Sequence, residues 1–299
     1  MAKDFGAAER RIGRIFAPGK AFALNGNTYE ILFSGKPTCK SGEPKTDIYC
    51  KALCRETKEE IELKISFKKE NADFLENKTN AERAEQLLGD NWSKIIVDAT
   101  KSIYDEFKEK PLIFKKKYGK TDKGAITLGW KFELLRVKSG ALSGSMNLNT
   151  EQIIDVYSGT NISDEKKNAM VNNKIIENSG IANYILWESD YTDDLQTIVD
   201  NLVTIKEYVD QHSEIFFACK ALNYRTFRSK YDGNRPLSVY VEWSVVDEKL
   251  TSRLVFNEPL IRGGTYAAEK LLDAMKIIGI KTTDDLNSNN VSDPSIIYE

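Results

Sequence analysis

Two stretches near the start of the chain alternate apolar and polar residues with period two. In residues 46–54 the apolar row is Ile48, Cys50, Ala52 and Cys54; in residues 61–68 it is Ile61, Leu63, Ile65 and Phe67. Alternation of this kind predicts two half-buried β-strands, because successive side chains leave a pleated backbone on opposite sides. The charged segment 55–60 between them predicts an exposed turn, and so a hairpin. With the turn centred near Thr57 and Lys58, Ile48 faces Phe67, Cys50 faces Ile65, Ala52 faces Leu63 and Cys54 faces Ile61. A slip of one residue would send one apolar row to solvent, so the register is specified modulo two. The same pairing sets Asp47 against Lys68 and Ser66 against Tyr49 on the polar face, at the open end of the hairpin.

The remaining pattern fills in an α/β (α+β) protein. Residues 5–16 read as an amphipathic helix stopped by Ala17-Pro18-Gly19, with Glu9, Arg10, Arg11 and Arg14 on it. Residues 29–34 read as a short strand, and residues 35–44 as a lysine-bearing loop that leads into Asp47 and could touch phosphate. Residues 80–88 are good helix formers. A long helix is expected over 90–107, a strand pair over 126–137 and 140–148, and a largely helical region over 150–211 with breaks at Gly159 and Gly180. Three strands at 215–227, 237–246 and 251–256 read as a meander closed by a helix at 266–278. The Asn-, Ser- and Asp-rich tail from Lys281 reads as loosely ordered. The expected division is 1–148 and 149–299, the two parts forming either separate domains or one continuous domain.

With 299 residues and 41% hydrophobic content, the chain is long enough to bury a full core. A formal net charge of -2 supplies no overall basic field, so a nucleic-acid partner requires the 43 lysines and arginines to be concentrated locally. Cys39, Cys50, Cys54 and Cys219 have no metal-binding spacing, and the first strand already accounts for Cys50 and Cys54 as reduced core residues. A zinc set with His212 is therefore disfavoured. His212 is the only histidine, which excludes nucleases and hydrolases that need several, and its place at the end of a helical run suits a C-terminal helix charge. P-loop, dinucleotide and H-E-x-x-H motifs are absent, and Gly263-Gly264-Thr265 is too short a signal for phosphate binding. Without a secretory leader or a membrane-length apolar run, a soluble, intracellular (cytoplasmic) protein is expected.

A carboxylate beside a lysine suits metal-assisted phosphodiester hydrolysis. The carboxylate holds a hard divalent cation, and the lysine orients a water or stabilises developing negative charge. Pro44-Lys45-Thr46-Asp47, a hairpin and then Ser66-Phe67-Lys68-Lys69 resembles the core of the PD-(D/E)xK nuclease superfamily. It is most similar to type II restriction endonucleases in which serine replaces the acid of the second motif. The resemblance implies a mixed central sheet flanked by helices, a restriction-endonuclease-like core, dependence on Mg2+ and hydrolysis of double-stranded DNA. It makes Asp47 a metal ligand and Lys68 the residue that positions water. Ser66 stands at the vacated acid position, and the Phe67 carbonyl is a further metal ligand. The displaced acid is sought fourteen residues after Lys68, at Glu82, with Glu85 one turn on. Glu9 is a further candidate, since a glutamate on the helix before the sheet often joins the metal site in this superfamily; Glu30 and Glu62 are others. A competing frame takes Glu62-Leu63-Lys64 as the second motif.

For DNA contacts the best basic run is Lys115, Lys116 and Lys117, flanked by Phe114 and Tyr118. Arg225 and Arg228 are the second group, interleaved with Tyr224, Phe227 and Tyr231. Cutting both strands implies a homodimer. Two rivals stand beside the restriction enzyme. One is a non-specific repair, recombination or phage nuclease; the other is a nuclease-derived DNA-binding protein that no longer cuts.

Overall fold

A computed structural model describes residues 6–69, 74–77, 79–190 and 192–299. The chain divides into two compact units, each assembled from two segments: Met1–Ala72 with Leu148–Ser213, and Asp73–Asn147 with Glu214–Glu299. The boundary expected at residue 148 is one crossing point. The other two, after residues 72 and 213, make the units interleaved along the chain rather than sequential halves.

The first unit holds helix α1 (Gly6–Ile15) and strands β1 (Ala21–Leu24), β2 (Asn27–Gly35), β3 (Ile48–Cys54) and β4 (Glu60–Lys68). The expected helix start at Phe5 lies outside the described residues. Strands β1 and β2 are joined by Asn25-Gly26, both at positive φ (50° and 80°), the geometry of a tight hairpin turn that matches strand twist. The sheet runs β1-β2-β3-β4, then Tyr184–Trp187 and Val203–Thr204. Tyr184–Trp187 lies parallel to β4 and every other pairing is antiparallel, so the sheet is mixed. Residues 150–211 are therefore not simply helical: a short apolar strand enters the sheet between helices Thr150–Ser158 and Leu195–Asp200.

The apolar rows read from the alternation do face a core. Ile48, Cys50, Ala52, Leu63, Ile65 and Phe67 pack with Ile12, Ile15 and Phe16 at α1 and with Leu195, Ile198 and Val199 of the Leu195–Asp200 helix. On the opposite face Trp187 meets Tyr208 of helix Ile205–Gln211 (ring centroids 5.7 Å), and Tyr208 meets Tyr157 of helix Thr150–Ser158 (5.2 Å). Helices thus cover both faces. Cys50 and Cys54 are buried free thiols, and burial pushes Cys50 up to about 12, so it stays protonated at neutral pH. His212 caps the C-terminal end of helix Ile205–Gln211, stacked 4.2 Å from Tyr208.

The hairpin register differs from the expected one by two residues. Ile48 pairs with Ile65, Tyr49 with Lys64, Cys50 with Leu63, Lys51 with Glu62 and Ala52 with Ile61. The turn decides this. Cys54 N–H donates to Glu59 O (2.8 Å) and Lys58 N–H to Cys54 O (3.1 Å), and Lys58 takes the left-handed conformation at φ 65°. The turn is thus one that alternation alone could not count. Parity, and with it the identity of each face, is unchanged. Asp47 lies one residue before this ladder and bonds to Ile65 and Phe67 rather than pairing with Lys68.

Gly180, legible only as a helix break, instead anchors the approach to Asp47. Its carbonyl accepts from Lys45 N–H (3.1 Å) and Thr46 N–H (3.3 Å), and its N–H donates to Lys167 O (2.8 Å). A Cβ there would stand 1.8 Å from the Lys166 carbonyl oxygen, which is backbone and cannot swing away. Gly180→Ala is expected to cost about 1–3 kcal/mol in urea unfolding, the usual range for overpacking, and to disturb the segment that carries Asp47.

The second unit is built on Ala125–Leu135 and Phe216–Arg225, paired along most of their length. Its path runs Lys230–Tyr231, Phe216–Arg225, Ala125–Leu135, Val239–Val246, Lys249–Val255. Residues 125–135 therefore sit inside the expected meander. They do not pair with Ser143–Ser145, which joins Phe216–Ala218 instead. The expected 90–107 helix breaks into Trp92–Lys101 and Tyr104–Lys108. The tail is ordered: Leu286 and Val291 are buried, and Ile297–Tyr298 pairs with Ile113–Phe114. Its asparagines bond to backbone, as Asn287 N–H does to Asn290 Oδ1 (2.8 Å), so its polarity marks turns rather than looseness.

Candidate active site

Asp47 immediately precedes β3 and is stitched to β4 twice. Its N–H donates to Ile65 O (2.8 Å), and its Oδ2 accepts from Phe67 N–H (2.8 Å). Just upstream, Lys45 Nζ donates to Val156 O (2.9 Å). The carboxylate is therefore held by backbone on one side and by a braced strand entry on the other.

Burial is the largest influence on this carboxyl and pushes it up to about 6. Lys68 pulls in the opposite direction, Glu9 adds to the rise through like-charge repulsion, and Phe67 N–H and Lys36 oppose it. Four charged side chains far apart in the sequence, Glu9, Lys36, Asp47 and Lys68, thus form one electrostatic group. Within it Lys36 Nζ lies 2.5 Å from Glu9 Oε2. Burial acts to lower the Lys36 ammonium, but Glu9, Asp47 and Glu43 outweigh it and hold it above its ordinary value.

A cleft of about 310 Å³ opens here, lined by Glu9, Arg10, Gly13 and Arg14 on α1, by Ser34, Gly35 and Lys36 at the end of β2, and by Asp47 and Ile48. Ser66 is fully buried, and its Oγ has no hydrogen-bond partner among the described residues; Thr46 Oγ1 is the same. An acid at position 66 would be deeply desolvated. Serine avoids that cost and leaves one unsatisfied hydroxyl.

The other candidate acids have surroundings of their own. Glu82 is on helix α2 (Ala81–Leu88), where Ala84, Leu87 and Leu88 are the buried residues; Glu82 and Glu85 are exposed, and Glu82 Oε1 accepts from Gln86 Nε2 (3.4 Å). That helix belongs to the second unit, whereas Asp47, Ser66, Phe67 and Lys68 belong to the first. Glu30 pairs with Arg55 (3.1 Å). Glu62 bonds to the Tyr49 hydroxyl and lies 3.6 Å from Lys64, which opposes Tyr49 further into the hairpin. Within the first unit, Glu9 is an acid whose charge raises Asp47. Among the described residues no group of three or more His, Cys, Asp or Glu gathers as metal ligands.

Of the DNA-contact candidates, all in the second unit, Lys116, Lys117 and Arg228 are exposed. Lys115 is tied to Glu299 (3.0 Å). Arg225 is held between Asp122 (2.5 Å) and Asp232 (2.8 Å), which keeps its guanidinium engaged within the unit. Lys36, Arg10 and Arg14 were visible in the sequence only as loop and surface charges. Their common position beside Asp47 has no local sequence signal.

No helix among the described residues is long and apolar enough to cross a membrane. Comparison with protein-family models, with curated proteins and with solved structures found no match.

Proposed function

We propose that this chain is a magnesium-dependent DNA endonuclease of the restriction-endonuclease-like class, acting on double-stranded DNA. The observation that carries this reading is the convergence of two carboxylates, Asp47 and Glu9, with two lysines, Lys36 and Lys68, at the open end of the β3–β4 hairpin. The mixed sheet with helices on both faces agrees with it.

The donor set fits magnesium, which is commonly held by one or two carboxylates together with waters and substrate phosphate. The repulsion between Asp47 and Glu9, offset in part by Lys36 and Lys68, is a charge arrangement that a divalent cation would relieve further. Asp47 and Glu9 would hold the ion, with the Phe67 carbonyl as a neutral donor. Bound there, it offsets phosphate charge and acidifies a coordinated water. Lys68 orients the attacking water and donates a hydrogen bond to the oxyanion that develops on phosphorus. The Ser66 hydroxyl remains available as a second donor. Lys116, Lys117 and Arg228 are the side chains offered to the duplex backbone by the second unit, and cutting both strands calls for a homodimer.

Incubation of the purified protein with supercoiled plasmid and magnesium tests this. Discrete linear fragments support a sequence-specific type II restriction enzyme, and a smear supports a repair, recombination or phage nuclease. A second reading, DNA binding without cutting, is favoured by the serine at position 66 and by the two-acid donor set; retained but intact plasmid would establish it. Glu9→Gln is expected to lower cleavage roughly a hundredfold and to raise the magnesium requirement, since a ligand contact of this kind is worth several kcal/mol. Glu82→Gln is expected to change cleavage by only a few-fold. The reverse order in the same titration would return the displaced acid to α2.

A further inference from the structure

The cleft beside Asp47 carries more positive charge than the chemistry above uses. Arg10, Arg14 and Lys36 line it together with Glu9 and Asp47, and Glu43 also acts on Lys36. Glu9, Arg10, Gly13 and Arg14 recur on one face of α1, a stretch of about 7.5 Å along the helix axis. Between the two arginines the floor is Gly13, which has no atom within 4 Å of the position a Cβ would take, so the floor is open. Lys36 has one contact to Glu9, and an ammonium carries three donors, so it can bridge Glu9 and a second acceptor.

We infer that this cleft seats a backbone phosphate of the DNA strand adjacent to the phosphate attacked, with Arg14 and Lys36 as its principal donors and Gly13 as its floor. The inference rests on the nuclease reading and adds to it the part of the substrate that α1 holds. A phosphodiester suits the cleft better than a small carboxylate. Guanidinium and ammonium groups set around a tetrahedral anion can each take a different oxygen. The two acids at one end fit a ligand that meets a cation there.

Binding of a fluorescein-labelled DNA duplex without metal, followed by anisotropy over a salt series, separates this seat from catalysis. Arg14→Ala is expected to weaken binding several-fold and to lower the slope of log Kd against log salt by about 0.9, one phosphate contact. Gly13→Glu puts a carboxylate into the open floor without a clash and is expected to weaken binding tenfold or more, with an unchanged circular-dichroism spectrum. Arg11→Ala, at a residue of α1 that pairs with Asp193 and does not line the cleft, is expected to bind as the unaltered protein does. If the protein cuts plasmid and both Gly13→Glu and Arg14→Ala bind and cut unchanged, the seat is wrong and the nuclease reading stands. If the unaltered protein neither binds duplex nor cuts, both fall.

Discussion

On the proposed nuclease reading, Asp47→Asn is expected to lower magnesium-dependent cleavage by about a thousandfold or more and, at pH 8, to make the protein harder to unfold. The first effect follows from removing the charged ligand at the centre of the site, comparable in size to losing a key preorganised electrostatic contact. The second follows from linkage. The carboxyl is raised from 3.8 to about 6 by burial and by Glu9, against the pull of Lys68. A raised acid binds its proton more tightly in the folded state than in the unfolded one. Its contribution to stability is complete below about pH 3.8 and is lost progressively as pH rises through 6, so at pH 8 the ionised carboxylate destabilises the fold. The shift sets an upper bound of about 3 kcal/mol for this term. The neutral amide keeps an oxygen for Phe67 N–H and removes the penalty. Denaturant unfolding at pH 8 and pH 4 checks the sign: the stabilisation by Asp47→Asn should shrink at the lower pH. The unaltered enzyme should lose activity below about pH 6, where Asp47 takes up its proton. Undiminished cutting by the variant would remove Asp47 from the mechanism.

Lys68→Ala is expected to give the second large effect, a loss of cleavage of about a hundredfold or more, while Lys64→Ala is expected to stay within a few-fold of the unaltered protein. After burial itself, the charge of Lys68 is the strongest influence on Asp47. Lys64 lies further into the hairpin opposite Tyr49 and is 3.6 Å from Glu62, a partly exposed pair of small energetic weight. Removing Lys68 also removes the main force holding the Asp47 carboxyl down, so the acidic limb of the pH–activity profile should move to higher pH. A merely structural lysine would lower activity without that displacement. Equal losses from the two variants would restore Glu62-Leu63-Lys64 as the motif.

The two strands of the β3–β4 hairpin were legible because alternation is a local property. Ile48, Cys50, Ala52, Leu63, Ile65 and Phe67 had to share a buried face whatever they packed against, and they do. Asn25-Gly26 is an equally local signal for the β1–β2 hairpin, since both residues accept the positive φ that its tight turn requires. The approximate positions of α1, of the Gly264–Ile277 helix and of the longer C-terminal strands were set in the same way, by periodicity and breakers.

Periodicity says which face a residue belongs to and is silent about its neighbour. The hairpin therefore slid by two residues at no cost to the apolar pattern, until the Cys54–Glu59 turn hydrogen bonds chose the pairing that sets Ile48 against Ile65. Tyr184–Trp187 is too short to show alternation, and only its parallel hydrogen bonds to β4 make it a strand of this sheet. Residues 125–135 slipped between two strands read as neighbours for the same reason. The candidate site is the extreme case. Asp47 and Lys68 could be paired from the sequence because one turn joins their strands. Glu9 reaches them only because α1 packs on the sheet through Ile12, Ile15 and Phe16, and Lys36 because β2 pairs with β3; the resulting burial, acting on charges that were ordinary in the sequence, raises the carboxyl of Asp47.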